Sequence, residues 1–211
     1  MKAFWNERYS ESEYVYGKAP NAFLREQLQR ISPSAALFPA EGEGRNAVYA
    51  ARLGWQAFCF DYSEMGRKKA LALAEEAGVP IDYQVADLHE YHFPRQTFGL
   101  VGLFFAHQPP ADRKFLHEQC YESLRPGGMI ILEAFAKGQA KYQSGGPKQE
   151  ELLFSEEELR SDFPGLEIQY LEEMETTLSE GPYHSGAARV IWLAGKIANA
   201  EHLTTYKVQQ S

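Results

Sequence analysis

The sequence has little cysteine, no long apolar run and little positive charge, and each shortage excludes a class of protein. Only two of its 211 residues are cysteine, Cys59 and Cys120, which argues against a disulfide framework or a cysteine-rich metal cluster. No run of about 18 apolar residues is present, so no membrane span is predicted. The start of the chain mixes charges with aromatic rings, unlike a signal peptide, so we expect a cytoplasmic protein.

The charge balance is acidic. Lys and Arg number 21 against 29 Asp and Glu, for a formal net charge of −8. The densest basic cluster, Arg67 to Lys69, lies on a predicted helix, where a solvated surface is the simplest interpretation. A polyanion needs a basic patch, so we expect neither nucleic acid nor a membrane as a partner. We expect a monomer or homodimer that acts on a small molecule.

What is present alternates between strands and helices. The composition, 44% hydrophobic and 24% charged, is typical of one globular domain. We predict a single domain over residues 1–196, with an aromatic-rich lid extension at 1–30 and a polar tail at 197–211. Seven segments are predicted as strands: "ALFPA", "WQAFCFD", "IDYQVAD", "TFGLVGLFFA", "MIILEAF", "LEIQYLE" and "RVIWLAGK".

Helices are predicted between most of these strands. The fold class is therefore α/β: a Rossmann-like, doubly wound, mostly parallel seven-stranded sheet. Only a polar loop separates the last two strands, so one strand near the C-terminus is expected to be antiparallel.

A turn with two glycines follows the first strand. Gly42 and Gly44 lack Cβ atoms and let a ligand approach the backbone, and a helix begins directly after them. Asp61 ends the second strand, where its carboxylate suits a ribose diol, and Asp87 ends the third, within reach of an adenine. Ligands of such sheets bind at the carboxyl ends of the strands. The arrangement predicts a pocket for an adenosine-containing cofactor.

The turn also suggests which cofactor. A pyrophosphate site requires G-x-G-x-x-G, whereas this turn reads Ala40-Glu41-Gly42-Glu43-Gly44. Two acids are unfavourable beside a diphosphate and better suited to an ammonium and a sulfonium. This favours S-adenosylmethionine over NAD, and an NAD-dependent oxidoreductase stays as an alternative.

Several segments match one known family in combination. They are "FWNERY", "YVYGKAPNAFL", "EGEGRNAVYAA", "FDYSEMGRKKALALAEEAG", "YQVADL", "LRPGGMIILEAF", "SGGPKQEELLFSEEEL" and "HSGAARVIWLAGK". The chain thereby resembles class I S-adenosylmethionine-dependent methyltransferases, most of all the small bacterial branch related to tellurite-resistance and thiopurine methyltransferases. The resemblance extends to about residue 196 and does not specify the methyl acceptor.

The resemblance implies S-adenosyl-L-methionine as cofactor, no metal, and a set of cofactor-binding positions. These positions are Tyr16, Ala40, Glu41, Gly42, Gly44, Arg45, Asn46, Asp61, Tyr62, Ser63, Asp87, Leu88 and Phe105.

The chain departs from the family pattern in the first motif. Phe38, followed by Pro39, stands where the family has an acid that helps to hold the methionine end of the cofactor. Glu41 is the expected substitute. Ala40 replaces a glycine, which is tolerable only if its φ is negative.

Two side chains beyond the central strands are candidate catalytic residues. His107 follows the fourth strand and Glu133 ends the fifth, so both are expected to border the acceptor pocket. His107 either accepts a proton or orients the nucleophile, and we favour orientation because its neighbours in sequence offer no partner to fix its tautomer. A structural histidine and a solvated acid are the alternatives.

Aromatic and polar side chains from elsewhere in the chain are also expected to line this pocket. The substrate-binding candidates are Trp5, Tyr9, His107, Glu133, Phe135 and His184. The N-terminal rings either cover the ligands or anchor the extension, and the acidic loop that carries His184 is either a substrate rim or a polar connection. The long 134–154 loop suggests a second lid.

The predicted function is methyl transfer from S-adenosylmethionine to a small molecule such as a thiol or a chalcogen oxyanion. Such a transfer relies on proximity and alignment, and a general base is optional. A non-catalytic regulatory domain that binds S-adenosylmethionine is the alternative from a different class.

Overall fold

A computed structural model describes residues 2–198. This part of the chain contains six α-helices: α1 (Lys2–Tyr9), α2 (Ala22–Leu28), α3 (Arg45–Arg52), α4 (Glu64–Ala77), α5 (Pro110–Ser123) and α6 (Glu156–Asp162). Its strands are β1 (Ala35–Pro39), β2 (Gln56–Asp61), β3 (Asp82–Val85), β4 (Phe98–Phe104), β5 (Leu124–Phe135), β6 (Leu166–Ser179) and β7 (Ser185–Ile197). None of these helices is long and apolar enough to cross a membrane.

The strands form one seven-stranded sheet in the order β3-β2-β1-β4-β5-β7-β6. The first five pair in parallel, and β7 runs antiparallel to both β5 and β6. The predicted fold class is thereby confirmed. The strand order reverses between β1 and β4, and ligands of doubly wound sheets bind at the carboxyl ends of the strands around such a point.

Local capping explains where several helices begin and end. The Ser63 side chain accepts a hydrogen bond from the Gly66 amide at the start of α4, and Gly78 ends that helix in the left-handed conformation. At α6, Ser155 and Glu158 form the reciprocal capping box that their spacing predicts.

The last two strands are longer than predicted. The segment interpreted as a polar connection continues both strands, so that only residues 180–184 form the turn between β6 and β7. Val190 of β7 pairs with Phe135 at the end of β5. Because β7 is antiparallel to β5, this turn lies beyond the carboxyl ends of the parallel strands. The second half of β6, residues 172–179, is mostly polar and lacks a clear alternation, which concealed the strand.

The core lies on both faces of the sheet. Every residue of β4 is buried, as its continuous apolar run predicts. Phe38 is fully buried in the same core, and a Cβ at Gly102 would lie 2.7 Å from its ring, so the phenyl group takes the space that a larger residue on β4 would need. Cys59 and Cys120 are buried free thiols. Residues 199–211 of the predicted tail lie outside the described residues.

Candidate functional site

The glycine turn after β1 is held tightly by its neighbours. Gly42 and Gly44 have φ angles of 58° and 84°, which favour glycine. A Cβ at Gly44 would lie 2.5 Å from the Cβ of Ala70 on α4, and one at Gly42 would lie 2.5 Å from the Tyr9 hydroxyl oxygen. The turn therefore requires glycine for close packing as well as for conformation.

Ala40 begins the same turn with a φ of 52°, so the expectation of a negative φ is wrong. An L-residue in the left-handed region costs about 1–2 kcal/mol, which the packing of the turn must offset. Glycine at this position would avoid that cost.

Glu41 closes the N-terminus of α3. Its Oε1 atom accepts hydrogen bonds from the backbone amides of Asn46 at 2.7 Å and Ala47 at 2.8 Å. Burial raises the pKa of this carboxyl to about 7, although the two amides oppose the shift. The expected role of Glu41, to hold the amino group of the cofactor, is thus replaced by a structural one, because its carboxyl group is already bound to the helix.

Glu43, the second acid of the turn, holds the N-terminal extension. Its Oε2 atom accepts hydrogen bonds from the amides of Val15 at 2.8 Å and Tyr16 at 3.4 Å, and its Oε1 atom lies 2.8 Å from Lys69 Nζ. Both oxygens of Glu43 are therefore occupied, and one oxygen of Glu41 is bound to the helix amides. The expectation that both acids meet an ammonium or a sulfonium is thus wrong for Glu43.

Asp61 lies at the end of β2, next to the glycine turn. It accepts hydrogen bonds from the backbone amides of Ser63 at 2.8 Å and Gly42 at 3.3 Å. Burial raises the pKa of its carboxyl to about 6. The carboxylate is thus fixed at the carboxyl edge of the sheet.

A cavity of about 400 Å³ opens at Tyr62, the residue after Asp61, between the carboxyl end of β3 and the start of α5. Three of the predicted cofactor-binding residues line it: Tyr62, Asp87 and Leu88. The other lining residues are Lys2, Val85, Ala86, His89, Glu90, Gln108 and Asp112. An aromatic ring, an acid and an amide thus surround a space large enough for a nucleobase. We call residues 40–44, Asp61, Tyr62 and Asp87 the open side of the site.

Helix α1 lies over the open side. Asn6 Oδ1 accepts a hydrogen bond from Ser63 Oγ at 2.7 Å, so Ser63 connects α1 to the start of α4. The Trp5 and Tyr9 rings stack with centroids 5.4 Å apart, and Trp5 also approaches Tyr16 at 6.3 Å. These N-terminal candidates therefore come together at the predicted site.

A second group of candidates packs ring against ring at the ends of β4 and β5. The centroid of His184 lies 4.4 Å from that of Tyr16, 4.3 Å from that of Phe105 and 5.2 Å from that of Phe135. Phe105 has a φ of 53°, an uncommon value for an aromatic residue and one that occurs at functional sites. We call Tyr16, Phe105, His107, Phe135 and His184 the packed side of the site.

His107 belongs to the packed side, but both of its ring nitrogens are occupied. Nδ1 lies 2.7 Å from the Leu152 carbonyl oxygen, to which it must donate, and Nε2 accepts a hydrogen bond from the Phe135 amide at 3.2 Å. Burial lowers its pKa to about 4. The expectation that no partner fixes its tautomer is wrong: the partner, Leu152, lies in the 134–154 loop. His107 therefore has no free nitrogen for proton transfer.

Glu133 is buried in a polar network rather than solvated. Its Oε2 atom accepts a hydrogen bond of 2.7 Å from Asn21 Nδ2, and Asn21 also approaches Glu180 Oε1 at 3.3 Å. Arg45 donates to Glu180 Oε2 at 2.9 Å. Burial raises the pKa of Glu133 to about 7. The network connects β5, α3, the N-terminal extension and the β6–β7 turn.

Sequence reasoning missed four members of this site. Asn6, Asn21, Gln108 and Glu180 each contact a predicted residue or line the cavity. Asn21 had a detectable signal, because an asparagine before a helical segment is a typical N-cap, and its Oδ1 indeed accepts from the Leu24 amide. Nothing local marks the other three.

Comparison with known proteins places this geometry in context. A family model described as "Methyltransferase domain" matches residues 39–128. A curated relative, the ubiquinone biosynthesis O-methyltransferase of Rhizobium etli (strain CIAT 652), is 28% identical over 121 residues. That match includes 56% of this chain and 49% of the relative, so the chain spans about half the length of the curated protein it matches.

Solved structures extend the similarity to the whole fold. A protein studied for the conversion of a disulfide bond into a thioacetal group during echinomycin biosynthesis matches 100% of this chain and 99% of its own, with a TM-score of 0.75 and 17% identity. TehB from Haemophilus influenzae matches 93% of this chain and 66% of its own, with a TM-score of 0.70 and 15% identity. At such identities the likeness concerns the fold.

Proposed function

We propose that this chain, a class I methyltransferase by its family match and its fold, transfers a methyl group from S-adenosylmethionine to a small-molecule acceptor. The methyltransferase domain and its relatives support S-adenosylmethionine as the cofactor. The catalytic unit proposed here spans residues 1–196, with residues 1–30 as a lid.

One observation carries the proposal. A cavity lined by Tyr62 and Asp87 opens at the carboxyl edge of the sheet, and Tyr62 directly follows the buried Asp61. In this assignment the cavity takes the adenine, Asp61 accepts hydrogen bonds from the ribose hydroxyls, and the methionine end extends past Gly42 toward the packed side. The acid, the aromatic ring and the cavity thus fit an adenosine.

The alternative cofactor, NAD, is disfavoured by Glu41. A dinucleotide places its pyrophosphate on the free amides of the helix that follows the glycine turn. Here the carboxyl group of Glu41 is bound to two of those amides. A diphosphate would have to displace it and would be repelled by its charge, whereas S-adenosylmethionine has no phosphate.

The acceptor that we propose is a small molecule with a nucleophilic sulfur, oxygen or chalcogen atom, such as a thiol or a chalcogen oxyanion. The rings of Phe105, Phe135 and His184 pack against one another, so the movement of one ring would admit only a small ligand. The net charge of −8 argues against nucleic acid as a partner. A cytoplasmic monomer or homodimer without a membrane partner completes the proposal.

The test is a turnover screen of the full chain with methyl-labelled S-adenosylmethionine. Thiols, tellurite, phenols and amines serve as separate acceptor classes. We expect label to appear in one class, with S-adenosylhomocysteine as the second product. Tight binding of S-adenosylhomocysteine without turnover of any acceptor would instead favour the regulatory alternative.

A further inference from the structure

The β6–β7 turn brings a histidine to the packed side from a distant part of the chain. His184 lies in contact with the rings of Tyr16, Phe105 and Phe135. Phe105 follows β4 and Phe135 ends β5, the two strands beyond the switch point. In the assignment above, this is the direction in which the methionine end of the cofactor points.

The imidazole of His184 is oriented by a carboxylate. Its Nδ1 lies 3.4 Å from Glu180 Oε2, an oxygen that also accepts a hydrogen bond of 2.9 Å from Arg45. Although burial opposes ionisation, the contacts with His184 and Arg45 hold the pKa of Glu180 at about 2. An ionised carboxylate can only accept, so Nδ1 carries the proton and Nε2 presents its lone pair.

The two histidines of the packed side differ at this second nitrogen. In His107, Nε2 accepts a hydrogen bond from the Phe135 amide, and Nδ1 is held by Leu152. In His184, Nε2 has no hydrogen-bond partner within residues 2–198. The fully buried polar atoms of this part of the chain that lack a partner do not include it, so Nε2 is not fully buried. Of these two rings, only His184 has a nitrogen that a ligand can use.

Burial keeps His184 neutral at physiological pH, with help from two nearby arginines. Burial lowers its pKa, Glu180 in the same turn opposes that shift, and Arg45 from α3 and Arg8 from α1 reinforce it. The remaining titratable neighbours, Tyr16 and His107, are uncharged there because burial raises the pKa of the first and lowers that of the second. A neutral imidazole can accept a proton.

The surroundings also favour one kind of acceptor. The side chains around His184 are aromatic, which suits a flat ring once one of them has moved aside. Arg45 forms an ion pair with Glu180, and the guanidinium carbon of Arg8 lies 4.3 Å from the centroid of the Tyr183 ring. Neither cation is therefore free to neutralise an anionic ligand. The carboxyl groups of Glu133 and Glu180 would oppose an oxyanion. A neutral aromatic hydroxyl compound therefore fits this side better than a chalcogen oxyanion.

We propose that His184, positioned by Glu180, is the general base for a flat aromatic acceptor that carries a neutral hydroxyl group; this inference rests on the methyltransferase function proposed above. The acceptor's O–H bond breaks and its proton moves to Nε2. The oxygen forms a new bond to the methyl carbon, and the electron pair of the broken carbon–sulfur bond stays on sulfur, which becomes neutral. Glu180 balances the charge of the imidazolium that results.

The first test needs no cofactor. In the ¹⁵N-histidine-labelled full chain, long-range ¹H–¹⁵N NMR spectra report the tautomer of each ring, and His184→Gln assigns the signal. We expect the Nδ1–H tautomer at pH 7.5, and a pKa for His184 that falls further in Glu180→Gln, which lacks the negative charge. A proton on Nε2, or a charged ring at pH 7.5, would overturn the proposal.

The second test measures turnover with S-adenosylmethionine and a series of para-substituted phenols. His184→Gln should lower kcat/KM by about 10²–10⁴-fold for weakly acidic phenols, and far less for phenols that are already ionised. The exposed His92→Gln is the matched control and should behave as the wild type. An equal loss across the series, or no loss, would overturn the proposal, as would wild-type turnover of tellurite with none of any phenol.

Calorimetry with S-adenosylhomocysteine separates this inference from the function on which it rests. Wild-type protein that fails to bind it would refute the proposed function. If the wild type and His184→Gln bind it equally and methylate weakly acidic phenols at the same rate, only the role of His184 fails.

Discussion

The open side and the packed side are built in different ways. On the open side, Asp61 ends β2, Tyr62 follows it and Asp87 lies just beyond β3. Tyr62 and Asp87 line a cavity of about 400 Å³. On the packed side, Tyr16 and His184 arrive from opposite ends of the chain and fill the space with their own rings. The open side is thus prepared for its ligand, whereas the packed side must let one ring move before an acceptor enters.

The two sides are also proposed to have different roles: the open side binds the cofactor, and the packed side binds the acceptor and takes part in the reaction. A cofactor common to a family can be held by short motifs at strand ends. Acceptor recognition differs from one protein to the next, and here it is proposed to use a turn and an extension that lie outside the parallel strands. Substitutions on the two sides should therefore have different consequences.

The largest effect is expected from the glycine turn of the open side. Gly44→Ala forces a left-handed alanine, at about 1–2 kcal/mol, and brings its Cβ against Ala70, at roughly 1–3 kcal/mol more. Gly78→Ala is the matched control, because its φ of 67° is similar but nothing lies within 4 Å of the added Cβ. Urea unfolding should show a loss of about 2–5 kcal/mol for the first and about 1–2 kcal/mol for the second. Equal losses would mean that the contact with Ala70 is unimportant.

The next effect is a pH dependence of stability that originates at Glu41. Burial raises its pKa to about 7 in the folded protein, so its contribution is complete below the unfolded value near 4.5 and is lost as the pH rises through 7. Glu41→Gln keeps an oxygen for the helix amides but does not ionise. Relative to the wild type, it should gain up to about 3 kcal/mol between pH 4.5 and 7. A constant difference over this range would contradict the burial of an ionisable group here.

On the packed side, His107 should make the folding stability depend on pH in the opposite direction to Glu41. Its pKa is lowered to about 4 by burial, so its contribution is present above the unfolded value near 6.5 and is lost as the pH falls through 4. The wild type should lose up to about 3 kcal/mol of stability over this interval that His107→Asn does not lose. Parallel stability curves for the two proteins would show that the imidazole is not confined as described.

A smaller effect is expected in cofactor binding. Asp61→Ala removes the carboxylate proposed to bind the ribose and should weaken S-adenosylhomocysteine binding by about 1.5–3 kcal/mol, the range for hydrogen bonds to a charged group. Asp82→Ala, an exposed acid at the other end of β3, is the matched control. Calorimetry should find the control unchanged, and wild-type affinity in Asp61→Ala would place the ribose elsewhere.

The same comparison explains what could be predicted from the sequence. Asp61, Asp87 and the glycine turn were predictable because strand periodicity places them at one edge of the sheet. The roles of Glu41 and Glu43 were not, because the direction of each carboxylate depends on α3 and on the segment around Val15. The partner of His107 lies 45 residues away in the chain, at Leu152, and no local pattern reveals it.

The fold shows the same limit. The parallel strands and the helix caps follow from local patterns. The prediction shortened β6 because its second half is mostly polar without a clear alternation, and pairing with β7 makes it a strand. The length of that hairpin decides where His184 lies. Each of the five residues of the packed side was predicted as a site residue from the sequence. Their contacts, and therefore their chemistry, could not be predicted from it.

The central claim is that the open side binds an adenosine without a diphosphate, and calorimetry of the wild-type chain tests it most directly. S-adenosylhomocysteine and NAD are titrated separately into the same protein at pH 7.5. We expect saturable binding of S-adenosylhomocysteine and no detectable binding of NAD, because Glu41 occupies the amides that a pyrophosphate requires. Saturable binding of NAD with none of S-adenosylhomocysteine would contradict it.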